Sequence, residues 1–479
     1  MVHAAASSSS QPNFVEMVKH VIDIGVPEEL RLSERSIYTV PSNLRKVNED
    51  AYTPQCISIG PIHFEKEKLK TMQEHKLRYM EFFWNRVSNE PSMQAYKQYL
   101  EDKEQEIRRC YSEKFTDKLP REKFVDMMLL DAVFIMELFL RNYELKSQNS
   151  KHKQEHDLIM KQMWLARNIA RDLILLENQI PFFVLVELYK RVVPAHQSKT
   201  FVDLALKYFE FYHPQMPSSA ENTTKAENFF CGLIRSCKEC CVQKSEGSCC
   251  MEESHAHFTD LIRFSYLPTK KEQKEASHVL RTATKLQESG VYFEKADGKR
   301  KLLDITFEKK QILSLCLCLG FLQCLNHFKA RFRIPQLKVD HNTECLLRNL
   351  IAFEQCHYPQ ETYISNYVSL MDSLIHTQLD VELLVEKEVI VHELGSHKDV
   401  ASLVNGLCKH VVTNSDTCYY ETINDLNQHY KNKWYHTMAS LRLVYFRDLW
   451  RASSTVVGIA VLIFAVFQFI RALRVLYKI

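Results

Sequence analysis

The chain has 479 residues, of which 46% are apolar and 25% charged, and its formal net charge is +3. That balance is ordinary for globular protein, and no basic stripe interleaved with aromatics emerges from it, which argues against a nucleic-acid partner. Ten glycines in this length are too few for sheet-rich folds with many tight turns or for glycine-lined phosphate sites.

The first residues, MVHAAASSSSQPN, are small and polar and contain no apolar core of a secretory signal. Residues 1–36 read as a weakly ordered leader and a first helix. Prolines at 41, 54 and 61 separate short β-prone runs over residues 37–64. An extended segment laid over a helical body is expected there.

Long helical periodicities dominate the rest of the chain. Leu165, Ile169, Leu173, Leu176 and Ile180 recur at four, four, three and four, which predicts one buried helical face. Residues 37–211 are thus expected to form an N-terminal helical lobe. Residues 212–256 are polar, irregular and rich in cysteine, and read as a variable loop separating it from a second helical lobe over 257–450. In that second lobe Tyr363, Tyr367, Leu370 and Leu374 mark a helix. Ser396 is a candidate N-cap with Asp399 three residues on, and Val400, Leu403, Val404 and Leu407 supply the apolar stripe. Ile423, Leu426 and Tyr430 begin a further helix directed through Trp434 and Leu441 toward the C-terminus.

From Ala452 to Ile470 the chain carries no charged side chain. A helix of that length spans about 28 Å, close to the hydrocarbon core of a bilayer. Phenylalanines lie on several faces, Trp450 and Tyr477 bracket the run, and basic residues flank it. These features predict a transmembrane helix over 452–470 and a short tail over 471–479. Lys431, Lys433, Arg442, Arg447 and Arg451 precede the span, against Arg471, Arg474 and Lys478 after it. This bias favours a cytosolic body, in which most of the 15 cysteines are expected as free thiols and the sequon at Asn222 stays unglycosylated.

Several ordered blocks resemble the plant family called domain of unknown function 247. They are Val40-Pro41 with Leu44-Arg45, Ala51 to Pro54, Ile57 to His63, Met72 to Lys76, Phe124 to Asp131 and Phe134 to Glu137. Asp172 to Phe183, Leu303 to Phe307, Arg348 to Gln355 and Leu370 to Ile375 complete the series. The resemblance covers roughly residues 37–470. It implies a mostly helical body with a C-terminal membrane helix, and it supplies no catalytic residues to carry over. Some grass members are linked to self-incompatibility, a recognition role. One departure is an apolar insertion over 309–333, uncharged from Gln311 to Phe328. It reads either as a second span or as an unspliced intron in the reading frame.

Three constellations bear on chemistry. Cys237 and Cys240 have zinc-ligand spacing, and Cys249 with His255 could close a tetrahedral site. The competing readings are free thiols in a loop, or S-acylation. Asp126 and Asp131, and Asp172 and Glu177, are five apart on expected helices and point about 140° from one another, with Glu137 as a further carboxylate. Asp172, Glu177, Asn178 and Gln179 within an apolar run read as a buried polar network closing helix packing, as do Glu354 and Gln355. No nucleophile elbow, P-loop or dinucleotide fingerprint occurs.

The sequence is therefore expected to encode a mainly α multi-helix bundle with an extended N-terminal segment and one C-terminal transmembrane helix. Its expected function is non-enzymatic recognition or scaffolding at a plasma or endomembrane surface, with no cofactor, the lipid bilayer and an unknown protein as partners, and no nucleic acid. The rivals are a membrane-bound hydrolase or transferase built from dispersed carboxylates and histidines, and a zinc-regulated adaptor.

Overall fold

The computed structural model describes residues 35–87, 93–112, 119–146, 157–192, 200–212, 255–276, 280–298, 300–309, 330–413, 415–433, 435–436 and 449–476. The leader, the sequon, Cys237, Cys240 and Cys249, Trp434, Leu441 and the apolar run 311–328 lie outside them. The fold is mainly helical with a few short strands.

The N-terminal helices are built around one apolar rod. Helices α1 (Thr71–Arg86), α2 (Met93–Arg109) and α3 (Arg121–Lys146) come first. From Phe124 to Phe139, α3 is buried on nearly every face, as a helix surrounded by others must be. It packs against α1 and α2, and against α5 (Phe182–Val192) and α6 (Phe201–Tyr208). Burying Phe134, Ile135, Leu138 and Phe139 completely contributes about 2 kcal/mol each. Helix α6 starts at a capping box in which Thr200 and Asp203 satisfy each other's backbone amides.

Helix α4 (Met163–Asp172) is shorter than its apolar spacing predicts. The expected buried face runs on to Ile180, but the helix stops at Asp172 and Leu173–Ile180 turn back irregularly, all of them buried. The cause is local. Asn178 Nδ2 donates to the Asp172 carbonyl at 2.9 Å, and Gln179 Nε2 donates to the Leu173 and Leu175 carbonyls at 2.6 and 2.8 Å. Those side chains take carbonyls a continued helix would have used, and Pro181 then stands one residue before α5.

The C-terminal part centres on α8 (Thr343–His357), which packs on α7 (Phe258–Tyr266), α9 (Tyr363–Leu374) and α11 (His397–Leu407). Tyr363, Tyr367, Leu370 and Leu374 are all buried, as their spacing predicts. Helix α10 (Gln378–Glu386) pairs with α11. Ser396 caps α11 by accepting from the Asp399 amide at 3.2 Å. Helix α12 (Tyr420–Lys431) buries Ile423 and Leu426 and is interrupted at Asn432, and the helix resumes at residues 433, 435 and 436.

Small sheets edge this layer. Strands β1 (Lys274–Glu275) and β7 (Asp416–Thr417) are antiparallel. Strand β4 (Ala330–Ile334) lies between β2 (Val291–Lys295), parallel to it, and β3 (Thr306–Lys309), antiparallel. Strands β5 (Leu337–Val339) and β6 (Ile390–His392) are parallel. Lys309 and Ala330 are register partners, so the flanks of the apolar insertion meet in one ladder.

One hydrophobic cluster runs from Ile37 to Leu426 and draws on residues from both sides of 212–256. A second, smaller one gathers Val40, Leu44, Ala51, Tyr52, Leu176, Ala352 and Phe353 under the N-terminal segment. Helix α13 (Leu449–Leu476) contributes to neither. Its stretch Ser453–Arg474 has a mean hydropathy of 2.4 and is 0% buried.

Candidate functional site

Residues 35–64 form a strap that is neither sheet nor long helix. A short helix at Ser42–Arg45 and a 3-10 turn at Glu49–Ala51 interrupt an extended path, with one bridge between Ile37 and Tyr111. A buried strap of this kind must find side-chain partners for its amides and carbonyls. It finds them on the turn after α4, on α3, on α1 and on α8, and the meeting point is a buried polar hub.

Asp172, fully buried, accepts the amides of Gln55, Cys56 and Ile57 at 3.0, 2.6 and 3.0 Å, and the Arg171 guanidinium at 2.8 Å. Asn178 accepts from the Ile59 amide at 2.7 Å and donates to the Ile57 carbonyl at 3.0 Å. Asp131 on α3 accepts the Gly60 amide at 2.8 Å and pairs with the buried Lys76 ammonium, which also donates to the Ser58 carbonyl at 2.5 Å. Glu177 accepts the Val40 amide at 2.8 Å, pairs with Arg45, and lies 3.1 Å from His63 Nε2.

From α8, Asn349 donates to the Ala51 carbonyl at 2.7 Å and accepts the Leu176 amide at 3.0 Å. Gln179 Oε1 accepts the first amide of α7, that of Phe258, at 3.0 Å, while its own carbonyl accepts from the Tyr111 hydroxyl at 2.9 Å.

Burial sets the electrostatics. It pushes the Asp131 carboxyl up against the pull of Lys76 and of the Gly60 amide. It pushes Asp172 up as well, against its three backbone donors. For Glu177 burial also pushes up, but the bonds from His63 and Arg45 outweigh it and hold the carboxyl below its ordinary value. Burial lowers His63.

Beside the hub, His257 accepts the Asp260 amide at Nδ1 (3.4 Å) and donates from Nε2 to the Ser36 carbonyl at 2.9 Å. Burial drives it down to about 4. Arg263 donates to Glu354 at 3.1 Å, and Glu354 caps the start of α9 through the Ile364 and Ser365 amides, both at 2.9 Å. These carboxylates are occupied by backbone and by cations: Asp131, Asp172 and Glu177 hold the strap, and Glu354 holds the start of α9.

The residues singled out from sequence divide between this interior and the surface. Asp126 is exposed and pairs with Lys97 at 2.6 Å, whereas Asp131 is inside, so the two diverge as their spacing predicts. Glu137 is buried between Arg86 and Arg141. Asp172, Glu177, Asn178 and Gln179 are a buried polar network, but their partners are mainly the strap backbone rather than a facing helix. Glu354 belongs to such a network, while Gln355 reaches outward to the Val412 backbone. His255 is buried, with Nδ1 3.8 Å from Asp260 and its ring edge on Phe264. Among the described residues no group of three or more His, Cys, Asp or Glu side chains converges as for a metal. The described cysteines 56, 110, 345, 356, 408 and 418 are free thiols.

Sequence reasoning assigned no role to Lys76 or His63, whereas His257, which opens the run HFTDLIR and reads there as a helix entry, is the N-cap of α7. Lys76 carried a signal: it occupies a core position in the stripe Met72, Lys76, Tyr79, Phe83 on α1, and a lysine there demands a buried acid.

The blocks that line the hub are those that resemble the plant family, and the match to that family's model runs from residue 37 to residue 464. The chain belongs to DUF247, a family of plant proteins of unknown function. Similar chains include the UPF0481 protein At3g47200 of Arabidopsis thaliana, 27% identical over 444 residues, covering 90% of this chain and 85% of the relative. The putative UPF0481 protein At3g02645 of the same plant is 23% identical over 540 residues and covers 96% of each. No solved structure matches the chain. In this DUF247 member the strap, the α4–α5 turn and α8 thus form one polar unit, assembled from blocks hundreds of residues apart.

Proposed function

We propose that this protein is a single-pass membrane protein whose helical body sits in the cytosol and serves recognition or scaffolding at the membrane surface. Helix α13 carries the reading. Its stretch Ser453–Arg474 is 0% buried with a mean hydropathy of 2.4, whereas the core helix α3 hides its apolar side chains within the body. An isolated helix with apolar side chains exposed all round is stable in lipid rather than in water. The excess of basic residues before the span supports the sidedness. The hub supports a role other than catalysis, since its carboxylates are committed to backbone amides and cations.

Deleting residues 452–479 is expected to move the protein from the carbonate-resistant membrane pellet to the soluble fraction. A truncated protein that stays in the pellet refutes the anchor. Sidedness has a separate readout: Asn222 is expected without glycan in plant cells, and a mobility shift on endoglycosidase treatment places the body in the lumen instead.

A further inference from the structure

The first turn of α4 presents large apolar side chains to water. Met163 is 70% exposed, Trp164 61%, and Leu158 in the preceding short helix (Leu158–Lys161) 46%. The cause is the break between the helices. Asp157 caps the first through the Ile159 and Met160 amides, and Gln162 adopts an extended backbone that restarts the chain as α4. Leu165 and Ile169 then face the core, which turns Met163, Trp164 and the exposed Arg167 outward. Arg167 is three residues from Trp164 and four from Met163, so the three share one face. Lys161 is exposed at the end of the preceding helix. The other charged residues of α4, Arg171 and Asp172, are buried and paired with each other, and the nearby Glu393, which Arg167 influences, is itself held by Lys338 at 2.7 Å.

We propose that the Leu158–Arg167 surface docks on the anionic headgroup region of the membrane that holds α13, giving the body a second, reversible lipid contact. This rests on the anchor reading above. Tryptophan is the side chain favoured at the lipid–water boundary, and flanking lysine and arginine complement an anionic leaflet. Twelve residues separate His436 from Leu449, a reach of at most about 45 Å. The anchored body therefore stays close enough to lipid for even a weak surface to be engaged. Each basic residue near such a surface strengthens binding roughly fivefold.

Hydroxyl-radical footprinting of the full chain in nanodiscs tests this, because Met163 and Trp164 are themselves the oxidised side chains. Their oxidation is expected to fall about threefold or more in discs containing phosphatidylserine relative to discs of phosphatidylcholine alone. High salt is expected to reverse the fall, and so is the double variant K161E/R167E, whose circular dichroism serves as the folding control. Equal oxidation in both disc types overturns the proposal. So does equal protection in detergent micelles, which would assign the surface to a protein contact. A chain that fails to incorporate into discs at all refutes the anchor, a separate outcome.

Discussion

A Cβ built on Gly60 would stand 2.3 Å from the carbonyl oxygen of Gln179. The strap crosses the α4–α5 turn backbone to backbone at this point, with Gly60 at φ +72°. Both the left-handed conformation and the closeness require glycine. Gly60→Ala is expected to destabilise the body by about 3 kcal/mol or more, since neither backbone can yield without breaking the neighbouring hub bonds. Urea denaturation followed by tryptophan fluorescence would read it, and a loss below about 1 kcal/mol would count against the crossing.

Asp172 is the largest single acceptor for the strap. Asp172→Ala orphans the amides of residues 55–57, of which that of Ile57 is buried, and the Arg171 cation, at an expected cost of about 4 kcal/mol. Asp172→Asn retains one acceptor oxygen and should lose clearly less. Limited proteolysis between residues 46 and 66 separates these variants: the alanine protein should be cut there fastest, and equal rates for both would refute the assigned role.

Acid should weaken the fold in a window set by His257. Its folded value of about 4 lies below the ordinary histidine value near 6.5. Between those limits the unfolded chain takes up a proton that the folded chain refuses, so stability falls as pH drops from 6.5 to 4. The loss from this residue is about 2 kcal/mol at pH 5. His63, His357 and His429 are lowered by burial and act with the same sign. Asp260 adds its own loss only below ordinary carboxylate values, because its folded value is held near 2, where burial is outweighed by His255. His257→Gln keeps a donor toward Ser36, so its denaturation midpoint should change less between pH 7 and 5 than that of the parent.

Because Lys309 and Ala330 are partners in an antiparallel ladder, an Asn-Gly turn can join them in place of residues 310–329. The shortened protein is expected to keep its circular dichroism and to change stability by less than about 1 kcal/mol. Loss of folding on that replacement would show that the apolar run is integral to the body.

The helical character of the molecule was legible in the sequence because the apolar period is regular, as in α9, and is joined by a cap in α11. The end of α4 was not. Apolar spacing continues past Asp172, yet side chains of Asn178 and Gln179 capture the carbonyls a longer helix needs, and that competition has no periodic signature. The polar residues of the hub stood out as polar within an apolar run. Their partners did not, because an extended strap offers amides rather than side chains, and amides are the same at every position. Strands β2 to β6 were hidden for a related reason: each is five residues or fewer and takes its identity from a distant neighbour.

The bond between Tyr38 and His357 joins positions 319 apart, and Asn349 reaches back 298 positions to Ala51. A ribosome has therefore translated most of the message before the N-terminal strap can find its final seat. Until then the Ala51 carbonyl and the Leu176 amide lack Asn349, and Val40, Leu44 and Leu176 lack the Phe353 of their cluster, a state that favours chaperone capture and aggregation. Premature termination before α8 should yield polypeptide that is cleared rather than a smaller working protein.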